Sequence, residues 1–426
     1  AAEFTGPSVE LLQALIRNEC VNDGTPDSGN ETRNSDLLVS YLEGTGVDIQ
    51  TYTPRPGRDS MIARIAGSNP SAPSLCLMGH TDVVPVNRNG WTNDPFAADI
   101  IDGEIWGRGA VDMLNLTSTM AVVFRQLANE GFKPKGDLIY FGVADEEAGG
   151  VWGAEWMAEN HWDDMRADHV LTELGGWSTV DDHGNRTVTV NVGEKGLAWR
   201  RLRVKGTPGH GSMPFGADNA LIKAAEVVRR IADYRPSAHI DDIWEAQVDA
   251  FGLPDELRDA LKSSDKIWDT LKDLPPGMAR TCHALTHTTF SPNVAHGGQK
   301  TNTIPDVIEI DVDIRTVPGT TKDDVEQHLR DAIGDLYEHV EVSELQNSNP
   351  TTCDYGRGNA LWDAVTKHTQ IAYPGAKLIP GLITGGTDAR FYRERGSVAY
   401  GAGLFSGKMD FATFGARFHG NDERID

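Results

Sequence analysis

Cysteine is scarce in this chain of 426 residues, and no two cysteines form a C-x-x-C pair. The four thiols are Cys20, Cys76, Cys282 and Cys353. Their number and wide spacing exclude a small secreted scaffold held together by disulfides, and they supply no thiolate set for a structural zinc site. Cys76 lies in an apolar run, which is typical of a buried structural thiol.

Basic residues are few relative to acidic ones. The chain has 39 Lys and Arg against 63 Asp and Glu, which gives a formal net charge of -24. Because nucleic acid and anionic membrane surfaces would repel such a chain, we expect neither as its main partner. No apolar run approaches the roughly 20 residues that a membrane-spanning helix needs, so we expect no membrane partner and a cytoplasmic location.

Apolar runs alternate with helical patterns in the first and last parts of the chain. Strand-like runs cover residues 61–66, 74–84, 137–143, 169–173 and 187–192, and amphipathic stripes lie around 9–16 and 116–127. After about residue 349 the pattern predicts a helix over 360–371 and strands over 377–383 and 398–401. Strands that alternate with helices predict an α/β layer structure around a largely parallel sheet.

The middle of the chain has a different order of elements. Strands are predicted over 197–204, 288–292, 303–315 and 340–345, with helices over 220–231 and 321–333. This β-α-β-β-α-β order predicts a ferredoxin-like α+β sandwich, with residues 234–287 as a helical insertion. We therefore expect one α/β domain, residues 1–194 and 349–426, interrupted by a smaller domain over 195–348.

Polar side chains that bind metals follow several of the predicted strands. They occur in segments 79–82, 107–113, 145–149 and 172–176, and again near the end of the chain in 418–423. Ligands of open α/β sheets gather at the carboxyl ends of strands. Histidine and carboxylate ligands without cysteine suit Zn²⁺, Co²⁺ or Mn²⁺. A single histidine or acidic pair is more often a core or surface feature, so only the conjunction of the segments indicates a metal site.

The residue types also suggest how the work is divided among these side chains. Asp82 can hold the imidazole of His80 in one orientation. Asp112 follows a glycine-rich turn at the start of a helix, where one carboxylate can bridge two cations. Glu146 and Glu147 are adjacent and point in different directions, so one can bind metal while the other faces a metal-bound water.

These segments, in this order, resemble the di-zinc metallopeptidase family of aminoacylase, carboxypeptidase G, carboxypeptidase S, acetylornithine deacetylase and succinyl-diaminopimelate desuccinylase. The resemblance covers nearly the whole chain and is greatest to the carboxypeptidase S-like branch. It implies a zinc-peptidase-like α/β/α catalytic domain with an inserted α+β ferredoxin-like lid and dimerisation domain. It also implies two divalent metals per chain, with zinc as the first choice and cobalt or manganese as alternatives.

The resemblance assigns roles to individual residues. The implied metal ligands are His80, Asp112, Glu147, Glu173 and His419. Asp112 bridges both metals, with His80 and Glu173 on one and Glu147 and His419 on the other. Asp82 orients His80, Glu146 is the general base, and the peptide bond between Asp112 and Met113 is cis.

The middle domain matches further positions of the family. His210, in the loop 206–214, would stabilise the oxyanion, in trans from the other subunit of a homodimer. Asn302 and Arg315 match positions that hold a substrate carboxylate, although an arginine is more often part of an ion pair. The loop 385–390, with Gly386, Thr387 and Arg390, resembles the one that lines the pocket in the carboxypeptidase S-like branch.

The chain departs from the family in a few places. Leu114-Asn115 stand where many members have Lys-Gly after the bridging aspartate. The chain ends at Asp426, soon after His419, so we expect a native tail beyond it. It begins Ala1-Ala2 without a Met, which leaves open a native targeting segment ahead of it.

The function implied is metal-dependent hydrolysis of an amide bond in a small peptide or N-acyl amino acid that bears a free α-carboxylate. Glu173, a glutamate rather than an aspartate, fits the aminoacylase and carboxypeptidase members of the family. Alternatives are an acetylornithine deacetylase or succinyl-diaminopimelate desuccinylase activity, and a catalytically silent scaffold. A mononuclear metalloprotease lacks support because the chain has no H-E-x-x-H segment.

Overall fold

A computed structural model describes residues 2–181 and 183–426. The chain forms two compact units. The large unit comprises Ala1–Val192, Cys353–Gly381 and Thr387–Asp426, and the small unit comprises Gly193–Thr352 and Leu382–Gly386. The sequence had placed the segment Leu382–Gly386 with the large unit.

The first part of the chain builds most of the large unit. Its helices are α1 (Ala2–Arg17), α2 (Thr32–Leu42), α3 (Leu114–Asn129), α4 (Ala154–Asn160) and α5 (Trp162–Met165). Its strands are β1 (Asp48–Tyr52), β2 (Ser60–Ile65), β3 (Leu75–His80), β4 (Ile100–Ile101), β5 (Glu104–Trp106), β6 (Leu138–Val143), β7 (His169–Thr172), β8 (Ser178–Val180) and β9 (Arg186–Glu194). Short 3₁₀ turns cover Arg88–Gly90 and Glu146–Ala148.

The small unit and the last part of the chain follow. The small unit has strands β10 (Gly196–Lys205), β11 (Gly209–His210), β12 (Thr289–Gly297), β13 (Thr303–Ile304), β14 (Val307–Thr316), β15 (Val340–Ser348) and β16 (Thr351–Thr352). Its helices are α6 (Ala220–Asp233), α7 (Asp242–Ala250), α8 (Asp255–Leu261), α9 (Ile267–Asp273), α10 (Pro276–Thr286) and α11 (Lys322–Ile333), with a 3₁₀ segment over Gly334–His339. The last part adds α12 (Ala360–Ala372), β17 (Lys377–Ile383), α13 (Ala389–Arg393), β18 (Val398–Gly401), α14 (Phe411–Arg417) and β19 (Arg424–Ile425).

The main sheet of the large unit is mixed rather than largely parallel. Its strands lie in the order β1-β2-β6-β3-β7-β18-β9. The central strands β6, β3, β7 and β18 run parallel, whereas β1, β2 and β9 pair antiparallel to their neighbours. The prediction of a largely parallel sheet therefore describes the four central strands but not the flanks, where residues 48–65 form a hairpin that needs no crossover helix.

Hydrophobic side chains cover both faces of this sheet. Met61 and Ala63 of β2 pack on one face among residues of α1, α2 and α3. Ile62, between them in the chain, packs on the other face with α4, α5 and α13. This alternation produces the predicted α/β/α layers. Cys76 is fully buried within the second layer, and burial raises the pKa of its thiol to about 12.

The small unit has the predicted β-α-β-β-α-β order. Its antiparallel sheet, β12-β14-β10-β15, carries α6 and α11 on a shared apolar core. Residues between α6 and β12 form α7 to α10, which enclose a separate core. The strand predicted over 303–315 divides into β13 and β14 around Pro305, because proline has no N–H for a ladder. Among the described residues, every helix is too short or too polar to span a bilayer.

Candidate metal centre

Parallel strands bring the predicted ligands to one edge of the large unit's sheet. His80 is the last residue of β3, and Glu173 directly follows β7. Glu147 lies in the turn after β6, which pairs with β3 through His80 and Val143. Because these strands run in the same direction, their carboxyl ends meet at the same edge.

A first group of ligands is fully buried. The donor atoms of His80, Asp112 and Glu173 all lie within 4.8 Å of one another. The Nε2 atom of His80 is 3.1 Å from Asp112 Oδ1 and 3.6 Å from Glu173 Oε2. One imidazole nitrogen and two carboxylates at this spacing can hold a divalent cation.

A second group uses the other oxygen of the same aspartate. His419 Nε2 lies 2.9 Å from Asp112 Oδ2 and 3.3 Å from Glu147 Oε2. Asp112 thus offers one oxygen to each group, as expected of a carboxylate that bridges two metals. The peptide bond between Asp112 and Met113 is cis, as the family resemblance implied.

The electrostatics of both groups fit cations. Burial opposes a charged imidazole, but hydrogen bonds with Asp112 and Glu147 outweigh it and raise the pKa of His419 to about 10. The pKa of His80 is likewise raised well above its usual range, against burial, by hydrogen bonds with Asp112 and Glu173. Burial, together with the charge of Asp112, raises the pKa of Glu147 to about 7. Crowded buried carboxylates therefore attract positive charge, which divalent metals would supply.

Asp82 supports both His80 and the turn that carries the two glutamates. The Nδ1 atom of His80 lies 2.9 Å from the backbone carbonyl of Asp82, and its carboxylate is farther away, at 3.5 Å. A carbonyl only accepts, so Nδ1–H donates and Nε2 is left for metal. The Asp82 carboxylate instead accepts the backbone N–H groups of Glu146 and Glu147, at 3.3 and 3.1 Å.

Glu146 starts the 3₁₀ turn after Asp145, whose backbone is left-handed with φ of 68°. Burial raises the pKa of the Glu146 carboxyl well above its usual range, and the charge of Glu173 adds to this rise. A carboxylate with a raised pKa is suited to accept a proton near neutral pH.

Arg390, near the start of α13, is hydrogen-bonded to the end of the turn that carries Glu146 and Glu147. Arg390 is buried, and its guanidinium donates to the backbone carbonyls of Thr387 and Gly149, at 2.9 and 2.7 Å. Arg390 thus joins Thr387 to Gly149, which follows the turn of Glu146 and Glu147. The guanidinium of Arg390, which was predicted to line the substrate pocket, thus contacts the backbone at the end of this turn. Thr387 is buried, and its hydroxyl accepts the N–H of Ala389.

The small unit brings His210 and Asn302 together. His210 of β11 pairs with Thr303 of β13, and Gly211 N–H donates to the Asn302 carbonyl at 2.8 Å. His210 is exposed, and its Nδ1 accepts the backbone N–H of Ser212 at 3.2 Å. With Nδ1 engaged by Ser212, Nε2 is the ring nitrogen that is left to donate a proton.

Arg315 lies elsewhere in the small unit. It is near the far end of β14 from β13, which is roughly 26 Å along the strand. Its Nε and Nη2 donate to the two carboxylate oxygens of Asp313 at 2.7 and 3.2 Å. Arg315 is thus already paired, and Gly386, the remaining predicted residue, belongs to the short segment Leu382–Gly386.

Comparison with known proteins identifies the family. The profile of peptidase family M20/M25/M40 matches residues 76–426. This chain belongs to that family. The M20 metallo-carboxypeptidase Sso-CP2 from Sulfolobus solfataricus superposes with a TM-score of 0.68 at 18% identity, over 99% of this chain and 94% of that one. The Bacillus subtilis YXEP protein, a dinuclear metal binding peptidase from the M20 family, gives a TM-score of 0.58 at 13% identity, over 97% and 95%.

Relatives in the M20 family differ in how much of their length they share with this chain. A succinyl-diaminopimelate desuccinylase of Rhodopseudomonas palustris is 32% identical over 54% of this chain and 57% of its own length. The chain thus matches little more than half of that relative. Human aminoacylase-1 is 27% identical over 93% of this chain and 86% of its own length. The match to the family profile confirms the predicted family, and the solved structures confirm the predicted fold class.

Three buried residues near the turn that carries Glu146 and Glu147 had no predicted role, namely Asn22, Glu31 and Arg58. Arg58 donates to Glu31 at 2.6 Å and lies 3.3 Å from Asp145. The side-chain amide of Asn22 donates to both Asp82 and Asp145, at 2.9 and 3.0 Å. Asn22, Glu31 and Arg58 are far apart along the chain, and none follows a predicted strand, so local patterns contained no signal for them.

Proposed function

We propose that this M20 family member hydrolyses the amide bond of N-acyl amino acids or small peptides that bear a free α-carboxylate, with two divalent metals per chain. The observation that carries the proposal is the Asp112 carboxylate, whose two oxygens serve two separate ligand groups. His80 and Glu173 would hold one metal, and Glu147 and His419 the other. A bound pair of this kind acidifies water and polarises a carbonyl.

Glu146 is the proposed general base. It would take a proton from the attacking water and deliver it to the nitrogen of the leaving amine. Its raised pKa, caused by burial and by Glu173, suits both steps near neutral pH. Asp82 holds the backbone of Glu146 and Glu147, so it positions the base and one ligand together.

His210 is the proposed donor to the oxyanion of the tetrahedral intermediate. Its Nε2–H is available because Nδ1 accepts from Ser212. We propose that it acts in trans across a homodimer formed through the small unit. Large apolar side chains near His210 are exposed, with Phe215 fully so and Met213 at 72%, and such a patch supports a protein interface.

The dimer is tested by sedimentation of a Phe215→Glu variant. The expected result is a dimer for the unmodified chain and a monomer with reduced turnover for the variant. A fully active monomeric wild-type chain would contradict action in trans. A Phe132→Glu variant is the control, since Phe132 is an exposed phenylalanine of the large unit.

The substrate proposal favours N-acyl amino acids because the alignment with aminoacylase-1 covers 93% of this chain. Succinyl-diaminopimelate is the second candidate, supported by the higher identity to the desuccinylase. Asn302 lies beside His210 and is the better candidate for the substrate carboxylate. Arg315 would hold that carboxylate only by exchanging its partner Asp313.

A substrate panel tests the activity. N-acyl amino acids, dipeptides, acetylornithine and succinyl-diaminopimelate are assayed with added Zn²⁺, Co²⁺ or Mn²⁺. Hydrolysis of N-acyl amino acids or dipeptides is expected, and preference for succinyl-diaminopimelate would favour the second candidate. Absence of any hydrolysis, with less than one metal bound per chain, would indicate a silent scaffold.

A further inference from the structure

A buried ion pair in the large unit has no part in the function described so far. Arg108 and Glu423 are 3% and 0% exposed, and Arg108 Nη1 lies 2.6 Å from Glu423 Oε2. Among the described residues, neither side chain forms a hydrogen bond or an ion pair with the side chain of a predicted metal ligand. Both instead contact the backbone of segments that carry metal ligands.

Glu423 fixes the backbone at the shared aspartate. Its Oε1 accepts the N–H of Val111 at 2.6 Å and the N–H of Asp112 at 3.1 Å. The backbone carbonyl of Glu423 also accepts the N–H of Gly107 at 2.9 Å. One residue near the end of the chain therefore holds the whole turn that leads to Asp112.

Arg108 extends the same support to His419. Its Nη2 donates to the His419 carbonyl at 3.3 Å and to the Pro85 carbonyl at 3.5 Å. His419 is a non-glycine residue with φ of 54°, in the left-handed region that side chains rarely adopt. Its side chain is 40% exposed, so packing alone does not hold it in place.

We propose that Arg108 and Glu423 are positioning residues for the Asp112, Glu147 and His419 group, and set its affinity for the second metal. The ion pair joins the turn before Asp112 to the turn at His419, so it fixes the spacing of two ligands that lie far apart in the chain. The inference rests on the proposed two-metal function, and it acts only through backbone contacts.

A buried ion pair could also serve the fold alone, and a double variant separates the two roles. Removal of one partner leaves an unpaired buried charge, which destabilises strongly. Removal of both leaves no such charge, and methionine cannot accept from the N–H groups of Val111 and Asp112. The double variant Arg108→Met/Glu423→Met should therefore recover the stability lost to an unpaired charge while it lacks the backbone contacts. A purely structural pair would recover metal binding with it, whereas positioning residues would not.

The experiment titrates the metal-free full-length chain with Zn²⁺ by calorimetry, with metal content measured after dialysis. In the folded double variant one of the two binding steps should weaken roughly 10- to 100-fold, as is typical for supports of ligands. Single variants Arg108→Lys and Glu423→Asp keep the charge and should show smaller losses. Circular dichroism and thermal melting in chelator establish folding independently of activity.

The control is Arg64→Met/Asp137→Met, an ion pair of the large unit whose side chains are 24% and 37% exposed. Arg64 also pairs with a carboxylate at 2.6 Å and donates to a backbone carbonyl, that of Asp164, but it contacts no ligand segment. This control should bind both metals as the wild type does. Equal loss in the control and the test variant would show a general effect of stability and would overturn the proposal.

The outcome also separates this inference from the proposed function. If the wild type binds two metals and the folded double variant binds both with unchanged affinity, the positioning role is wrong while the two-metal function stands. If the wild type itself binds fewer than two metals, the two-metal function fails and the positioning role fails with it.

Discussion

The two ligand groups around Asp112 differ in how the fold holds them. The first group is buried, and its His80 and Glu173 stand at the ends of adjacent parallel strands. In the second group, Glu147 lies in a 3₁₀ turn, and His419 is a left-handed residue after the last helix with a side chain 40% exposed.

This difference shows where a site needs support beyond its secondary structure. The position of His80 follows from the β3–β6 ladder and from Thr117, whose hydroxyl donates to the His80 carbonyl at 2.8 Å. His419 has no ladder, and its carbonyl is held by Arg108. We therefore expect substitutions around the first group to lower folding stability more than metal affinity. Substitutions around the second group should lower metal affinity more than folding stability.

The largest effect should follow from loss of the residue that both groups share. Asp112→Ala removes one oxygen from each group, so the variant should lose both metals and all measurable turnover. Metal content after dialysis measures this, with Asp94→Ala, a change at an exposed aspartate, as the control. Retention of one tightly bound metal would show that the groups do not depend on a common bridge.

Glu146 belongs to neither group and separates binding from chemistry. Glu146→Gln should lower kcat by about 10²- to 10⁴-fold, since general base catalysis contributes that much, and should leave two metals bound. Steady-state kinetics with parallel metal analysis provide the measurement, and Glu155→Gln on α4 is the control. Near-normal turnover of the Glu146→Gln variant would contradict the assignment of Glu146 as the general base.

Metal affinity should rise with pH, because the protons on the second group compete with the metal. His419 has a pKa of about 10 without metal, so it stays protonated below that pH and must release a proton on binding. The affinity should increase by up to tenfold per pH unit for each proton released, between about pH 6 and 9. His419→Ala should flatten this slope by one proton, and an unchanged slope would contradict the assignment.

The same raised pKa of His419 makes the stability of the metal-free fold fall with pH, whereas metal affinity rises with pH. The stabilisation from the charged His419 is fully present below its unfolded pKa of 6.5 and is lost as pH rises through 10. Metal-free wild type should therefore become less stable as the medium becomes alkaline, as thermal melting in chelator can show. A melting temperature that increases over this range would argue against the charged histidine.

The smallest effect expected is a difference in metal-free stability between two histidine variants. His80→Ala should cost about 3 kcal/mol, because it leaves Glu173 and the Oδ1 atom of Asp112 without their partner in a buried site. His419→Ala, at a partly exposed site, should cost no more than about 1 kcal/mol. Denaturant titration in chelator measures both, and equal costs would erase the distinction between the two groups.

Much of the site could be read from the sequence because its residues follow strands or lie in glycine-rich turns. The five predicted ligands fall into the two groups around Asp112. Arg108 and Glu423 lie in the predicted ligand segments 107–113 and 418–423. Local spacing could not indicate that these two residues, 315 positions apart, form an ion pair. Their ion pair depends on the β5–β19 contact, which is a product of the whole fold.

The fold shows the same limit. Alternation of strand and helix predicted the central strands and the inserted β-α-β-β-α-β unit. The hairpin of β1 and β2 was missed because β1, residues 48–52, is largely exposed and polar, without an apolar run. Dimerisation, the roles of His210, Asn302 and Arg315, and the cytoplasmic location stay predictions.

Anomalous diffraction from zinc-loaded crystals can show whether Asp112 bridges two metals. Two anomalous peaks are expected about 3.5 to 4 Å apart, the usual separation in two-metal sites, with one beside each oxygen of Asp112. A single peak, or two peaks of which only one contacts Asp112, would contradict the bridging role of Asp112.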